Sequence, residues 1–536
     1  MAGRTIRTRL TALALAVTTA TALVVATAGA APAATKVKPG GTITYGLESE
    51  TGGGWCPRTA RLAISGIEVA AAIYDTLTAP NTKGQIKPYL AKSVTPNADF
   101  TQWTITLRTG ITFQDGTPVD AAAVAANIAA YRDNLLVGQG LKNIASVTVA
   151  NPTTINVATV TAWPQFPWFL YLDGRMAIVA PKQLNGSNAD CASNLIGSGP
   201  FKLAEPWVVN TKLVTTKNAT YWQKDANGTA LPYLDGITFV PVPEANQRVN
   251  GVQGRTFDVI HTSDGLQVDA LNQLKGTLNL MQEKPGRREV RNYLMNAAKA
   301  PLDDLDARKA VAMAIDRNQV NELRNAGVFD VANGPFDSQV MGYLKNPGFP
   351  KYNPTEAKKL VDAYKAAHGG SFSVVLEHTN DPANAEEAAL LKQQLAKVGI
   401  DATLKPDDQT NFILAAVGGN YSILLWRNYP GDDPDVNYQW WQNGSLLNFN
   451  DFVDATIQQN LDAGRASTDT KTRTQAYQAI NQRFAEQVYN VWAYYSAWTV
   501  AANKKVQGLA GPPLPDGGGQ PAFLYGRHPL LGISIK

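Results

Sequence analysis

Trp103-Thr104-Ile105-Thr106-Leu107-Arg108, Thr109-Gly110 and Ile111-Thr112-Phe113-Gln114-Asp115-Gly116-Thr117-Pro118 form the stretch from which the fold can be read. The first six residues alternate between apolar and polar side chains, the period-two pattern of a strand with one buried face. Thr109-Gly110 reads as a turn and residues 111–113 as a returning strand, so a hairpin is expected over 103–113. Residues 114–118 form a second turn, after which Asp120 is placed to cap an alanine-rich helix running through Ala130. Strand, turn and capped helix in close succession predict a small mixed lobe.

Upstream, the alternation recurs at Thr42-Ile43-Thr44-Tyr45-Gly46-Leu47 and breaks at Gly52-Gly53-Gly54-Trp55-Cys56-Pro57. Glycines let a backbone approach a bound molecule, and Trp55 offers a flat stacking surface. A surface turn pinned by a disulfide accounts for the same residues, and both readings stay open. Residues 64–77 suit a helix. Ile196-Gly197-Ser198-Gly199-Pro200-Phe201 is not read as a phosphate cradle, because no Lys-Ser/Thr pair follows and Pro200 would interrupt a helix start.

Downstream, a new domain is expected to open near residue 290. Ala307, Val311, Ala314 and Ile315 recur at helical spacing behind the acids of 303–306. Asn353-Pro354-Thr355-Glu356 is a capping-box-like start with Pro at the first helical position. A strand at 372–377 and a helix ending near Val398-Gly399 follow, the alternation of an α/β lobe.

The whole chain has 536 residues, with Lys+Arg 48, Asp+Glu 44 and 44% hydrophobic residues. That balance excludes a polar disordered polymer and a polybasic nucleic-acid binder, and the length calls for two to four lobes. Arg4, Arg7 and Arg9 precede an uncharged Ala/Thr/Leu/Val stretch to Thr35 that contains Ala28-Gly29-Ala30 and Ala31-Pro32-Ala33. Residues 1–34 therefore read as a cleavable signal peptide, which places the mature chain in the periplasm or outside the cell. The two cysteines, Cys56 and Cys191, are expected to pair in that oxidising compartment. Neither lies at the end of the leader, so no lipid anchor is expected.

The four histidines, His261, His368, His378 and His528, show no zinc-site spacing, and neither metal nor cofactor is expected. His261, Ser263 and Asp264 lie too close in sequence to imply a triad. Asp432, Asp433 and Asp435 lack the rhythm of a calcium loop and fit a solvated turn equally well. Around them Trp426, Arg427, Asn428, Tyr429, Tyr438, Trp440 and Trp441 put rings beside hydrogen-bonding groups, the composition of a binding wall.

Taken in order, several of these segments resemble the bacterial extracellular solute-binding proteins of family 5, which contains dipeptide- and oligopeptide-binding proteins of ABC importers. The resembling stretches are residues 72–77, 88–91, 103–118, 197–203, 218–222, 231–235, 308–317 and 426–434. The resemblance implies an α/β, bilobed, type II periplasmic-binding-protein-like fold with a small additional domain inserted in the first lobe. Lobe I would comprise 35–78, 197–289 and 496–536, the inserted domain 79–196, and lobe II 290–495, with two linkers crossing between the lobes.

It also implies a monomeric receptor without turnover, whose partners are a peptide or other small organic ligand and an ABC transporter permease. Its ligand wall would draw on Gly53, Gly54, Trp55 and His261 in one lobe. The other lobe would contribute Trp426, Arg427, Asn428, Tyr429, Asp432, Asp433 and Trp440. Peptide-binding members carry an Asp four residues before the Pro of the second motif, facing the peptide α-ammonium. Here that position is Pro430, or Asn428 with one inserted residue, so the fixed negative charge is missing. Asp432 or Asp433 could substitute, while Arg427 could hold a carboxylate or stack on a ring. A secreted enzyme or accessory protein reusing the scaffold, and a carbohydrate receptor, remain the alternatives.

Overall fold

Residues 37–51, 54–429, 431–524 and 526–536 are described by a computed structural model; the expected leader and Gly53 lie outside them. Thr42–Leu47 is a strand with Ile43, Tyr45 and Leu47 buried. It runs through the middle of a seven-stranded sheet, parallel to Gly236–Pro241 on one side and to Val259–Thr262 on the other. Thr499–Asn503 and Leu278–Gln282 extend one edge, Leu213–Lys217 and Phe201–Leu203 the other. Every residue of Val259–Thr262 is buried, as expected of an inner strand covered on both faces.

A second sheet of six strands has the order Asp330–Val331, Asn490–Ser496, Glu289–Met295, Ile423–Asn428, Ser373–Thr379, Asp401–Asp407. Its core, with Tyr293, Val311, Leu376, Leu391 and Trp492, is distinct from the one around Tyr45, Phe239, Val259 and Val500. Two sheets with separate cores make two lobes. The strands Leu278–Gln282 and Glu289–Met295 belong to different sheets, as do Asn490–Ser496 and Thr499–Asn503, so the chain crosses at 283–288 and at 497–498. The crossings are tied to each other. The Glu283 N–H donates to the Trp498 carbonyl (3.0 Å), the Trp498 N–H to Glu283 Oε2 (2.9 Å), and the Trp498 indole N–H to Glu289 Oε2 (2.8 Å). Two short adjacent connections are the construction of a hinge.

Against the first lobe lies a four-stranded antiparallel sheet, Ala91–Pro96, Gln102–Leu107, Thr154–Thr159 and Ile144–Asn151 in spatial order, packed with the helix Ala121–Arg132. The expected hairpin at 103–113 does not form. Gln102–Leu107 pairs with Ala91–Pro96 and Thr154–Thr159, while Thr112 makes only an isolated bridge to Pro118 and Phe113 enters the core. The alternation marked a strand correctly, but its partners come from elsewhere in the sequence.

The helix expected over 64–77 stops at Ile73. The Ile73 carbonyl is taken by the Gly199 N–H (2.9 Å) and the Gln114 side chain (3.0 Å), and Tyr74 is extended. Gly197 and Gly199 press against this turn, where a Cβ on either would collide with the Ile73 backbone; the Gly-Ser-Gly loop serves packing. Asp120, Asp304 and Asn353 each accept a backbone N–H at the start of their helices, at 2.8, 2.8 and 3.1 Å. Cys56 and Cys191 are disulfide-bonded.

Candidate functional site

Trp426 and Arg427 stand at the end of the strand Ile423–Asn428, where it meets a cavity of about 170 Å³ walled by both lobes. The second lobe supplies rings. Phe412 lies nearly parallel to Trp426 with centroids 5.4 Å apart, and Phe449 stands edge-on to Trp426 (5.1 Å) and Trp440 (5.7 Å). This interlocked arrangement holds the indoles in place. The Trp426 N–H donates to Asn428 Oδ1 (2.9 Å), so Asn428 orients the indole. The facing wall comprises Leu62, Ile64, Leu136 and Leu172 with Arg61 and Arg175 among them.

A second, more polar cavity of about 370 Å³ adjoins the first and shares Arg427 with it. Arg427 bridges the lobes at this boundary: Nη2 meets Glu48 Oε1 at 2.7 Å, Nη1 donates to Ser263 Oγ at 2.6 Å, and the guanidinium covers the Trp498 ring at 5.3 Å. Burial opposes its charge, yet Glu48 and Glu289 hold the group above its ordinary pKa. His261 is fully buried behind this bridge, and its Nε2 accepts the Glu48 N–H at 3.0 Å. Burial, reinforced by Arg248, pushes the imidazole well below its usual pKa, so it stays a neutral acceptor that positions Glu48. Asp264 caps the helix Gly265–Gln273, and with Ser263 engaged by Arg427 the three neighbours do not form a triad.

The acidic run is committed to internal pairs. Asp433 receives two bonds from Arg473 (2.6 and 2.9 Å). Asp435 is held by Arg465 Nε (2.9 Å) and by the indole N–H of Trp163 (2.8 Å), a residue of the small lobe's core. Asp432 lies 3.3 Å from Arg287 and accepts from the Tyr429 hydroxyl at 3.3 Å; burial raises its pKa to about 6. These side chains fasten loops and lobes together, contrary to the solvated turn considered from sequence.

On the other side, Gly54 has a φ of +74°, and a Cβ there would fall 2.6 Å from that of Ala192; the Trp55 N–H donates to the Ala192 carbonyl at 3.1 Å. The glycine thus allows the loop to lie on the segment bearing Cys191. Trp55 is buried edge-on to Trp207 (5.8 Å) and lines a recess of about 20 Å³ that shares Arg61, Leu62, Leu136, Val137 and Arg175 with the main cavity.

Sequence reasoning therefore reached the rings at 426 and 440. It missed Phe412 and Phe449, which aromatic spacing could have suggested, and Arg61, Arg175 and Glu48, for which no local signal exists. Among the described residues no cluster of His, Cys, Asp or Glu could hold a metal ion, and no helix is long and apolar enough to cross a membrane.

Two lobes joined by paired crossings, a cavity between them and an additional small lobe define a type II, bilobed solute-binding architecture. Residues 85–450 match the profile of bacterial extracellular solute-binding proteins, family 5 (middle), and the chain belongs to that family. It is 30% identical over 349 residues to the glutathione-binding protein GsiB of Salmonella paratyphi A, an alignment covering 63% of this chain and 65% of the relative. The periplasmic binding protein AgaA of A. tumefaciens R10, solved with agropinic acid, superposes with a TM-score of 0.81 at 25% identity, covering 92% of this chain and 99% of that one. DppA of Helicobacter pylori, solved with the peptide STSA, gives 0.80 at 19% identity, covering 93% and 98%.

Proposed function

We propose that the chain is an exported solute receptor that takes a medium-sized organic ligand into the inter-lobe cavity and hands it to an ABC importer permease, without turnover. The observation that carries this reading is a cavity walled by both lobes whose two connections lie side by side. A ligand touching both walls binds the closed form better than the open one, and about 5.5 kcal/mol of such preference turns a mostly open population into a mostly closed one. GsiB, whose name gives glutathione as its ligand, and AgaA, solved with agropinic acid, support a small polar organic solute.

The lobe assignment belongs to the same proposal: 35–78, 197–289 and 496–536 in the first lobe, 79–196 in the inserted domain and 290–495 in the second lobe. So does export by a cleavable leader. Within the expected ligand wall, Trp426, Arg427 and Trp440 line the cavity and Trp55 its recess; His261, Asn428, Tyr429, Asp432 and Asp433 support these from behind or hold neighbouring loops. In a thermal-shift screen of peptides and small organic acids, at least one class should raise the melting temperature in proportion to log concentration and contract the scattering envelope. A flat screen with an unchanged envelope overturns the receptor reading.

A further inference from the structure

The charges lining the cavity and its recess are unevenly matched. The recess is lined by two arginines and no acid, Arg61 and Arg175 standing among Trp55, Leu62 and Val137. Arg61 is half-buried, and its guanidinium has no hydrogen bond or ion pair among the described residues. Arg175 is only partly engaged, with Nε on the Leu62 carbonyl (3.1 Å) and Nη1 3.3 Å from Asp173. The buried Trp55 indole N–H has no acceptor among the described residues. In a folded protein a buried donor without a partner is costly, and the Trp55 indole N–H, flanked by the Arg61 guanidinium and the partly engaged Arg175, marks a place for an acceptor group.

The main cavity repeats the bias. Its sole lining acid is Glu289, already occupied by the Trp498 indole N–H and facing Arg427 at 3.9 Å. Most acids of the adjoining polar cavity are engaged as well: Glu48 with Arg427, Asp264 and Glu386 with Arg324, Glu387 with Arg291, and Asp381 with Asn384 and Thr379, while Glu244, at the start of the helix Ala245–Gln253, makes no side-chain cap. A ligand ammonium in the main cavity or its recess would therefore lose its water without gaining a free carboxylate there.

Resting on the receptor reading above, we propose that the solute is an organic acid without a free ammonium next to its apolar part. Its carboxylate enters the recess between Arg61, Arg175 and the Trp55 indole N–H, and its apolar body lies on Phe412, Trp426, Trp440 and Phe449. A planar carboxylate can take two parallel bonds from a guanidinium, which a neutral amide cannot reproduce. The ring wall then reads the body by stacking and shape, with little demand for further polar groups.

Calorimetric titration with three probes that share one ring and differ in charge tests this: N-acetyltryptophan (anion), N-acetyltryptophanamide (neutral) and tryptophanamide (cation). The anion should bind at least tenfold more tightly than the neutral probe, and the cation should not bind. Arg61→Gln should reduce the anion-to-neutral ratio towards one, whereas Arg61→Lys, which keeps the charge but not the paired bonds, should leave a ratio between the two. Cation binding as tight as the anion's, or an unchanged ratio in Arg61→Gln, overturns the proposal. Should all three probes fail, solutes released by denaturing protein equilibrated with rich broth decide. Retained acids sustain the proposal, and retained amines overturn it while leaving the receptor reading intact. Retention of nothing overturns both.

Discussion

Glu68 lies fully buried in the first lobe, with Oε2 accepting the His528 N–H at 3.1 Å and Oε1 3.6 Å from His528 Nε2. Burial raises its pKa to about 8, against the lowering pull of Arg527, and burial also lowers that of His528 to about 4. Both are therefore neutral at intermediate pH, and the contact is not an ion pair. The carboxyl keeps its proton in the folded chain up to about pH 8 but loses it near 4.5 when unfolded. The folded state thus binds more protons across that window, and Glu68 makes stability fall as pH rises through it. Glu68→Gln removes that slope, and His528 contributes equally to both proteins. The stability advantage of the variant over the parent, read from urea midpoints, should grow steadily from pH 5 to pH 8; an advantage that shrinks would contradict the buried neutral acid.

Among the elements, the turn after the helix Ile64–Ile73 shows how far a local pattern carries. The helical reading of the sequence extends past Ile73 to Leu77, yet the helix stops because Gly199 and Gln114 claim the last carbonyl. Gly197 is needed there because a Cβ on it would collide with the Ile73 carbonyl oxygen. Gly197→Ala should lower stability by about 1–3 kcal/mol through overpacking, measured as a fall in the urea midpoint at constant slope. A variant as stable as the parent would show that this packing relaxes freely. Helix starts, by contrast, were legible in advance. Asp120 and Asn353 act on N–H groups three residues away, within the reach of a sequence motif.

For the molecule as a whole, the Arg427–Glu48 bridge spans the lobes at the boundary of the two cavities. Both side chains keep roughly a quarter to a third of their exposure, so screening holds the pair to about 1 kcal/mol. That still shifts an open-to-closed ratio about fivefold. Glu48→Gln should therefore enlarge the ligand-free radius of gyration in solution scattering, and high salt should move the parent in the same direction. Identical curves for parent and variant in both salts would remove the bridge from the hinge equilibrium.

What the sequence by itself determined was what near neighbours set, namely the strands at 42–47 and 103–107, the capped helices and the ring-rich stretch from Trp426, together with the pairing of its only two cysteines. Only the tertiary structure decided how distant residues were combined. It paired the strand Gln102–Leu107 with Thr154–Thr159 instead of with residues 111–113, and turned Asp433 and Asp435 towards Arg473 and Arg465. It also set Arg61 and Arg175 beside Trp55 in a recess whose lining holds no acid. Alternation and capping are written in spacings of two to four residues. The match of charge to charge across a cleft depends on chain crossings hundreds of residues apart, and no local spacing encodes it.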